Sequence, residues 1–430
     1  MAAARHRLRG PRFKQGGQAV LGLLMIFGIA FSVFVYNMVD PTHASARREA
    51  RTAAAMRDVR DALIGWSVQR TSSGALPNAR PGELPCPDMN NDGYEDGSCA
   101  AGALGRVPWK TLGIPEPRDE AGETLWYAIA GPFRIWNMSS TAINSDTKGN
   151  LTVYQDSTAT PVTTEAVAVV FAPEGALGTQ NRGTTAALCS TTSTTIARNL
   201  CAANYLETAA SVNNAVTGGP FISAQSSSSF NDKVLVLTTA DLMPMVERRV
   251  GLEVKKLLQD YKTNTACACT NLGGGSGCYP YADLSNGYSD ADPYNPGEGR
   301  NRGRVPALGA APYDWGASPC ASPVPNIPAW FVNNDWRLVV YYSAGSNFLG
   351  PGACTSCVNS TLTIDGVSGK QALVITPGPL LGAAPRAPVA LDDSTYWQYY
   401  LPDSENNNLD DVYVTPSSLA YTRNRLYTIP

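Results

Sequence analysis

The stretch Cys86–Asp96, with the sequence CPDMNNDGYED, places oxygen-bearing side chains at alternate positions before a glycine. Calcium prefers several hard oxygen ligands that converge from one short loop. The spacing matches an EF-hand-type loop, with Asp88, Asn90 and Asp92 at positions 1, 3 and 5 and Gly93 at the sharp turn. The sequence therefore predicts a calcium site in this loop.

The remaining calcium ligands are less regular. Tyr94 would offer its backbone carbonyl oxygen, and Asp96 falls at position 9. Position 12, where an EF-hand has a bidentate glutamate, is Cys99, so Glu95 or a residue from elsewhere would have to complete the shell. The alternative is a turn that binds no metal, because Asn, Asp and Gly favour turns by themselves. Both interpretations stay open.

The ten cysteines all lie after residue 85. An even number of cysteines in a loop-rich body predicts disulfides formed in an oxidising compartment. Short separations suggest three structural pairs, which are Cys86–Cys99, Cys189–Cys201 and the CxxC pair Cys354–Cys357. The pairing of the other four is open, and they are Cys267, Cys269, Cys278 and Cys320.

Histidine is nearly absent from the chain. Only His6 and His43 occur, so the chain after residue 43 has no histidine for a catalytic triad or a zinc site. It also contains no nucleophile elbow, phosphate loop or dinucleotide fingerprint. After residue 16 there are 36 acidic and 28 basic side chains, which does not favour nucleic-acid binding. We predict a protein that is not an enzyme and does not bind nucleic acid.

An N-terminal apolar segment precedes this body. Five basic side chains and no acidic one precede residue 17, and Ala19–Tyr36 has 18 uncharged, mostly apolar residues. A helix of that length rises about 27 Å, just enough to cross a bilayer. The basic residues predict a cytoplasmic N-terminus, and no small-x-small cleavage site follows. The expected localisation is the inner membrane, single-pass, with the body periplasmic or extracellular at a fibre tip.

The same helix is expected to continue to Gln69. Asp40 and Pro41 would cap and kink it, with Pro41 in a first turn. Beyond this point apolar residues recur at helical spacing and predict a face that packs on the body. The residues of that face are Met56, Val59, Leu63 and Trp66.

The body contains an internal repeat. The sequence GRVP occurs at Gly105–Pro108 and again at Gly303–Pro306, and Ala168–Gly178 is similar to Ala372–Gly382. Six such matches occur in the same order, which is hard to obtain by chance. The sequence therefore predicts a duplicated body.

Each copy is expected to be a helix packed on a short antiparallel sheet. The second helix is predicted at Thr239–Lys262, with Thr239 as its N-cap. The predicted strands are Leu125–Ala130, Ala166–Ala172, Lys233–Thr238, Leu338–Tyr342, Ala372–Thr376 and Arg425–Ile429. The spans predicted as loops and sheet edges are 139–164, 179–200 and 208–229. Ala282, Leu284 and Asn286 align with the first three calcium ligands, so the second copy is expected to bind no metal.

This layout resembles that of type IV pilins and of the pseudopilins of type II secretion. In that family a short basic leader ends in glycine, a long helix with an apolar first half follows, and a β-rich head completes the subunit. Here RFKQG would end the leader, with Gly16 before the cut and Gly17 as the first mature residue. Leu21 stands at the fifth mature position, where the family usually has Glu, which argues against a major fibre subunit. The resemblance covers residues 1–70.

The resemblance implies an α+β fold. A long N-terminal transmembrane helix would precede two tandem pilin-like heads, each a helix packed on a short antiparallel sheet. The expected segments are the leader 1–16, the transmembrane and amphipathic helix 17–69, the first head 70–238 and the second head 239–430.

The resemblance also implies a function. The protein would be a minor structural subunit of a type IV pilus or type II secretion system, in a tip or initiating position. Its partners would be other pilin or pseudopilin subunits through the N-terminal helix, the inner membrane and the prepilin peptidase. The alternative is an adhesin or binding protein on a plain signal anchor that is not processed.

Overall fold

The protein is described by a computed structural model. The described residues are 16–39, 41–71, 79–135, 142–184, 186–188, 195–263, 277–280, 282, 301–305, 327–334, 336–349, 359–379, 401, 406, 410–416 and 424–430. The chain divides into two compact units, Met1–Ala54 and Ala55–Pro430.

The helices begin with a long pair at the N-terminus. They are α1 (Gly16–Val39), α2 (Pro41–Gln69), α3 (Trp109–Leu112), α4 (Thr239–Thr263) and α5 (Ala329–Asn333). Pro41 opens α2 as predicted, because its fixed φ and missing N–H suit the first turn of a helix. Met56, Val59 and Leu63 of α2 are buried, as their helical spacing predicted.

The expectation of a transmembrane helix is wrong, and with it the expected fold built on that helix and the single-pass inner-membrane localisation. Crossing a bilayer takes about 20 consecutive, mostly apolar residues in one helix. Among the residues that the structure describes, no helix combines the required length with the required apolar character. The α+β composition agrees with the structure, which has both helices and several sheets.

The strands of the first half of the body are β1 (Leu104–Arg106), β2 (Trp126–Ile129), β3 (Leu151–Gln155), β4 (Ser157–Ala166), β5 (Ala168–Ala172), β6 (Ala186–Leu188), β7 (Thr195–Ala197), β8 (Thr208–Ala209), β9 (Val212–Asn213), β10 (Phe221–Ser223) and β11 (Lys233–Leu237). Those of the second half are β12 (Arg302–Arg304), β13 (Tyr341–Ala344), β14 (Leu362–Ile364), β15 (Val367–Lys370), β16 (Ala372–Thr376), β17 (Val412–Tyr413) and β18 (Arg425–Ile429).

Both halves have the same strand order. A four-stranded antiparallel sheet has the order β1-β2-β5-β11 in the first half and β12-β13-β16-β18 in the second. A three-stranded sheet has the order β4-β3-β10 in the first half and β15-β14-β17 in the second. In each of these the central strand pairs antiparallel on one side and parallel on the other. The sequence repeat therefore corresponds to a repeated topology.

Equivalent hydrogen bonds fix which residues correspond. A tyrosine of the second strand in each four-stranded sheet donates to a proline carbonyl oxygen, and the pairs are Tyr127 with Pro85 at 3.2 Å and Tyr342 with Pro280 at 3.0 Å. This correspondence differs by one residue from the sequence alignment of the calcium loop. If Pro85 corresponds to Pro280, the sequence position that corresponds to Asp88 is Asp283 and not Ala282. Asp283 lies outside the described residues.

One apolar core continues from the first half to the second. Helix α4 packs against β16 and β18 of the second half. Its buried Glu247 accepts hydrogen bonds from the backbone N–H of Ser145 at 3.0 Å and from Arg425 Nη1 at 3.1 Å, one in each half. Arg249, also in α4, donates to the carbonyl oxygen of Val68 in α2. Helix α4 therefore connects the two halves.

The start of α4 differs slightly from its prediction. Thr238, and not Thr239, makes the capping interaction with Asp241, because its N–H and its hydroxyl both donate to Asp241 Oδ2 at 2.9 and 2.7 Å. The hydroxyl of Thr239 instead donates to the carbonyl oxygen of Thr147 at 2.9 Å. The prediction was therefore correct for the helix and wrong by one residue for its cap.

Several other predicted regions need correction. The strand predicted at Leu338–Tyr342 is displaced, because Trp336–Val339 forms a 3-10 helix and β13 begins at Tyr341. The spans 139–164, 179–200 and 208–229, predicted as loops and sheet edges, contain β3, most of β4, and β6 to β10. Their Ser and Thr content suited exposed strands as well as loops.

Candidate functional site

The predicted calcium loop is fixed at both ends. Cys86 and Cys99 form the disulfide that the sequence predicted. Asp88 and Arg106 of β1 exchange backbone hydrogen bonds of 2.9 and 2.7 Å. Gly105 is required beside them, since a Cβ there would lie 2.7 Å from the Asp88 carbonyl oxygen. The glycine of the repeated GRVP sequence thus lets the loop approach the sheet edge.

The Asp88 carboxylate organises the loop from inside. It is 2% exposed. Its Oδ1 accepts the N–H groups of Asn91 at 2.6 Å and Asp92 at 3.3 Å, and its Oδ2 accepts that of Gly93 at 2.7 Å. Burial raises the pKa of Asp88, and these hydrogen bonds oppose that rise. This carboxylate therefore stabilises the turn whether or not a metal is present.

The other predicted ligands also accept hydrogen bonds from the loop backbone. Asn90 Oδ1 accepts the N–H of Asp92 at 2.9 Å, and Asp92 Oδ1 accepts that of Tyr94 at 2.8 Å. Asp96 Oδ2 accepts the N–H of Met89 at 2.6 Å. Within the described ranges, no group of three His, Cys, Asp or Glu side chains is placed to hold a metal ion. Calcium binding remains a prediction.

A cationic and aromatic group lies on the outer side of this loop. Lys110 Nζ is 5.0 Å from the ring centre of Tyr94 and 5.0 Å from that of Trp109. Tyr94 is 56% exposed and Met89 42% exposed. Lys110 and Trp109 were not predicted from the sequence, because only folding brings α3 beside Gly93. The arrangement can contact another molecule through exposed aromatic and aliphatic surface.

Only some cysteines of the other predicted pairs lie among the described residues. Cys201 is disulfide-bonded, in agreement with its predicted participation in a disulfide. Cys189, Cys354 and Cys357 lie outside the described residues, as do Cys267, Cys269 and Cys320. Cys278 is buried in the shared core.

The predicted processing site coincides with a helix boundary. Helix α1 begins at Gly16, and Gly17 is its second residue. The large apolar side chains between Val20 and Phe34 are 53–68% exposed. They are Val20, Leu21, Leu23, Leu24, Met25, Ile26, Phe27, Ile29, Phe31, Val33 and Phe34. These positions surround the whole helix, so α1 has no polar face in this stretch.

An open groove of about 520 Å³ lies beside the part of α2 that belongs to the body. We call it the acidic groove, because Asp58, Asp61 and Glu116 line it. Its other lining residues are Ala55, Ala62, Ile114, Pro115, Pro117 and Arg118. The groove was not predicted from the sequence, since residues 114–118 reach α2 only in the folded chain. The one available signal was the pair of acidic residues three apart on an exposed helix.

Comparison of the chain with protein-family models, with curated proteins and with solved structures finds no match.

Proposed function

We propose that this protein is a non-enzymatic structural subunit of the minor pilin or pseudopilin type, which assembles with neighbouring subunits through α1. The observation that carries the proposal is the exposed apolar surface of α1 between Val20 and Phe34. A helix that is apolar on every side is normally buried. The exposed surface of α1 therefore needs a covering that a single copy of the helix does not supply.

The all-round distribution of these side chains says how many neighbours are needed. A helix with one apolar stripe is satisfied by one partner helix. A helix without a polar face needs neighbours on several sides, as in the centre of a bundle. Burial of apolar surface contributes about 25 cal/mol per Å², so packing several copies of α1 together supplies a large driving force for assembly.

The duplicated body limits this assembly. Each subunit carries two four-stranded sheets joined by α4. A body of this size hinders repeated stacking along a shaft and favours a few copies in an initiating complex. The proposed role is to start an assembly to which smaller subunits are added.

Charged substitutions in α1 test this role. We would measure the mass of particles formed by the full chain with light scattering and image them by electron microscopy. Leu24→Lys and Phe27→Lys are expected to convert oligomers into single copies. Val162→Lys is the matched control, because Val162 is also exposed, at 60%, but lies on β4 of the body. Oligomers that persist in both α1 variants would refute the proposal.

The N-terminal mass of the protein from its native cells tests the processing that the resemblance implies. A chain that starts at Gly17, with a methylated amine, is expected. Gly16→Leu should block this cleavage. An intact leader on the native chain would instead favour the alternative of an unprocessed binding protein. For that alternative, the exposed Tyr94 and Lys110 surface on the disulfide-closed loop is the first contact site to substitute.

A further inference from the structure

Two exposed parts of α2 carry opposite charges. Arg47 and Arg51 are exposed and four residues apart, so they lie on one face, about 6 Å apart along the axis. Asp58 and Asp61 are exposed and three residues apart, and both line the acidic groove. Two pairs of opposite charge thus have similar spacing on the same chain.

We propose that the acidic groove of one copy of this protein binds the Arg47–Arg51 segment of a second copy. This inference rests on the proposed function, because packing of α1 would hold copies together and raise the effective concentration of one surface for the other. It extends that function by naming the surface through which the bodies of neighbouring copies contact each other.

The charge of the groove is available for a partner. Arg57 and Arg60 flank the acidic residues on the same helix, and Arg60 hydrogen-bonds to Asp241 at 2.7 Å and lies 3.5 Å from Asp61. Arg118 at the groove wall is bound to Glu116 at 2.7 Å. The side chain of Asp61 is 70% exposed. Asp61 and Glu116 thus each have an arginine neighbour, and the carboxylates of Asp58 and Asp61 remain exposed to solvent in the groove.

The shape of the groove suits an arginine-bearing helix. Its walls combine small and apolar side chains with two prolines, at Ala55, Ala62, Ile114, Pro115 and Pro117. The aliphatic stem of an arginine packs well on such surface while its guanidinium reaches a carboxylate. Residues 44–54 include five alanines. These small side chains permit a close approach of the helix to the groove.

The two surfaces are different, so the contact is head-to-tail. A heterologous contact leaves one free groove and one free basic segment at the ends of a short row of copies. A free end of this kind can receive the next subunit. This property agrees with an initiating role, whereas a symmetric contact would close the assembly at two copies.

Charge reversal with complementation tests the contact. The first variant is R47E/R51E and the second is D58K/D61K, and a third combines all four substitutions. Each of the first two variants places like charges at both surfaces, so we expect the concentration needed for self-association to rise about tenfold. An equimolar mixture of the two restores opposite charges across every contact. We expect that mixture, and the combined variant, to associate like the native chain.

The control is R248E/K256E, which changes the net charge as much as R47E/R51E does, at exposed sites of α4 outside the groove. It should associate like the native chain. All substituted residues are exposed, and melting temperatures would verify that each variant folds. Light scattering at low and high salt provides the readout, because screening should weaken the native contact as well.

The outcomes separate this contact from the proposed function. Association that ignores charge reversal, while still depending on Leu24 and Phe27, overturns the groove contact alone. Rescue by the combined variant without rescue by the mixture also overturns it, since the charges would then meet within one copy. A native chain that stays a single copy overturns both proposals.

Discussion

Glu83 is a buried acid placed between two arginines. Its side chain is 1% exposed, and it lies 3.6 Å from Arg80 Nε and 3.6 Å from Arg70 Nε. Burial raises the pKa of Glu83 from near 4.5 to about 7, although both arginines and the backbone oppose the rise. The folded protein therefore binds this proton more tightly than the unfolded chain does.

The shift predicts how stability changes with pH. The protonated Glu83 contributes to the free energy of unfolding. This contribution is fully present below about pH 4.5 and is lost as the pH rises through about 7, a change on the order of 3 kcal/mol. Glu83→Gln should remove this part of the pH dependence and so reduce the fall in stability between pH 5 and pH 8. Urea unfolding of both proteins across that range measures the difference. Glu165→Gln, at an exposed ion pair with Lys148, is the control and should leave the slope of unfolding free energy against pH unchanged. If the native and Glu83→Gln proteins show the same slope, the prediction is wrong.

The Asp88 carboxylate gives a second test at this scale. Asp88→Ala removes the acceptor of the N–H groups of Asn91, Asp92 and Gly93, so it should lower the free energy of unfolding by about 2–3 kcal/mol, even with a chelator present. Denaturant unfolding in EDTA measures this loss.

Calcium binding is tested separately by calorimetric titration of the native protein and of Asp92→Ala. A native protein without a binding heat would leave Asp88 with its structural role alone.

The sequence predicted the position of this loop but not the use of its oxygens. The Asx-and-glycine pattern identified the turn, and the flanking cysteines identified the disulfide. The partners of each oxygen depend on backbone directions that the sequence does not specify. Glu83 was missed entirely, because its burial between Arg70 and Arg80 follows from tertiary packing.

At the scale of elements, Gly251 determines how closely α4 approaches the second sheet. A Cβ at Gly251 would lie 2.1 Å from the ring of Tyr427 in β18. Gly251→Ala should therefore cost about 1–3 kcal/mol through overpacking. Gly65→Ala in α2 is the matched control, because a Cβ there meets nothing within 4 Å. That substitution should stabilise the helix by about 0.5–1 kcal/mol.

Urea unfolding of the two glycine variants measures the change in the free energy of unfolding that each substitution causes. Opposite changes are expected although the substitution is the same. A loss of stability at both sites would mean that loss of glycine, and not contact with Tyr427, decides the result. A gain at Gly251 would mean that α4 can move away from β18 at little cost.

Elements with strong apolar patterning were predicted well. Helix α4 and strands β16 and β18 have nearly their predicted bounds. The buried residues of α4 follow a helical pattern, and all five residues of β16 are buried. Strand β4 was not placed by the sequence, since its polar, exposed residues resemble a loop. Strand β13 was displaced because a 3-10 turn uses residues of high strand propensity.

At the scale of the whole molecule, the two halves of the body should unfold together. The core is continuous from the first half to the second, and Glu247 accepts hydrogen bonds from both. The amides of β5 and β16 should therefore lose their protection from hydrogen exchange at the same denaturant concentration.

Glu247→Ala should lower the free energy of unfolding by about 2–4 kcal/mol, because it leaves Arg425 and Ser145 without their buried acceptor. Gln259→Ala, at an exposed position of α4, should have little effect.

Separate transitions for β5 and β16 in the native protein would contradict the shared core. Such a result would mean that the two tandem heads predicted from the sequence unfold separately. The duplication itself was visible in the sequence, since matching segments recur in one order. The contact between the two halves through α4 was not visible in the sequence, because it depends on which residues pack against each face of that helix. The transmembrane prediction was wrong, since no helix among the described residues is both long enough and apolar enough to cross a membrane.

The repeated strand order has a consequence for the history of the chain. Two identical chains that pair symmetrically must change both sides of their interface with every mutation. Two copies joined in one polypeptide escape this constraint, and each can acquire its own residues while stoichiometry stays fixed. The position of Glu83 shows this divergence, because its counterpart in the second copy, one residue before Tyr279, is Cys278. Fusion thus allows each copy to acquire residues that the other lacks.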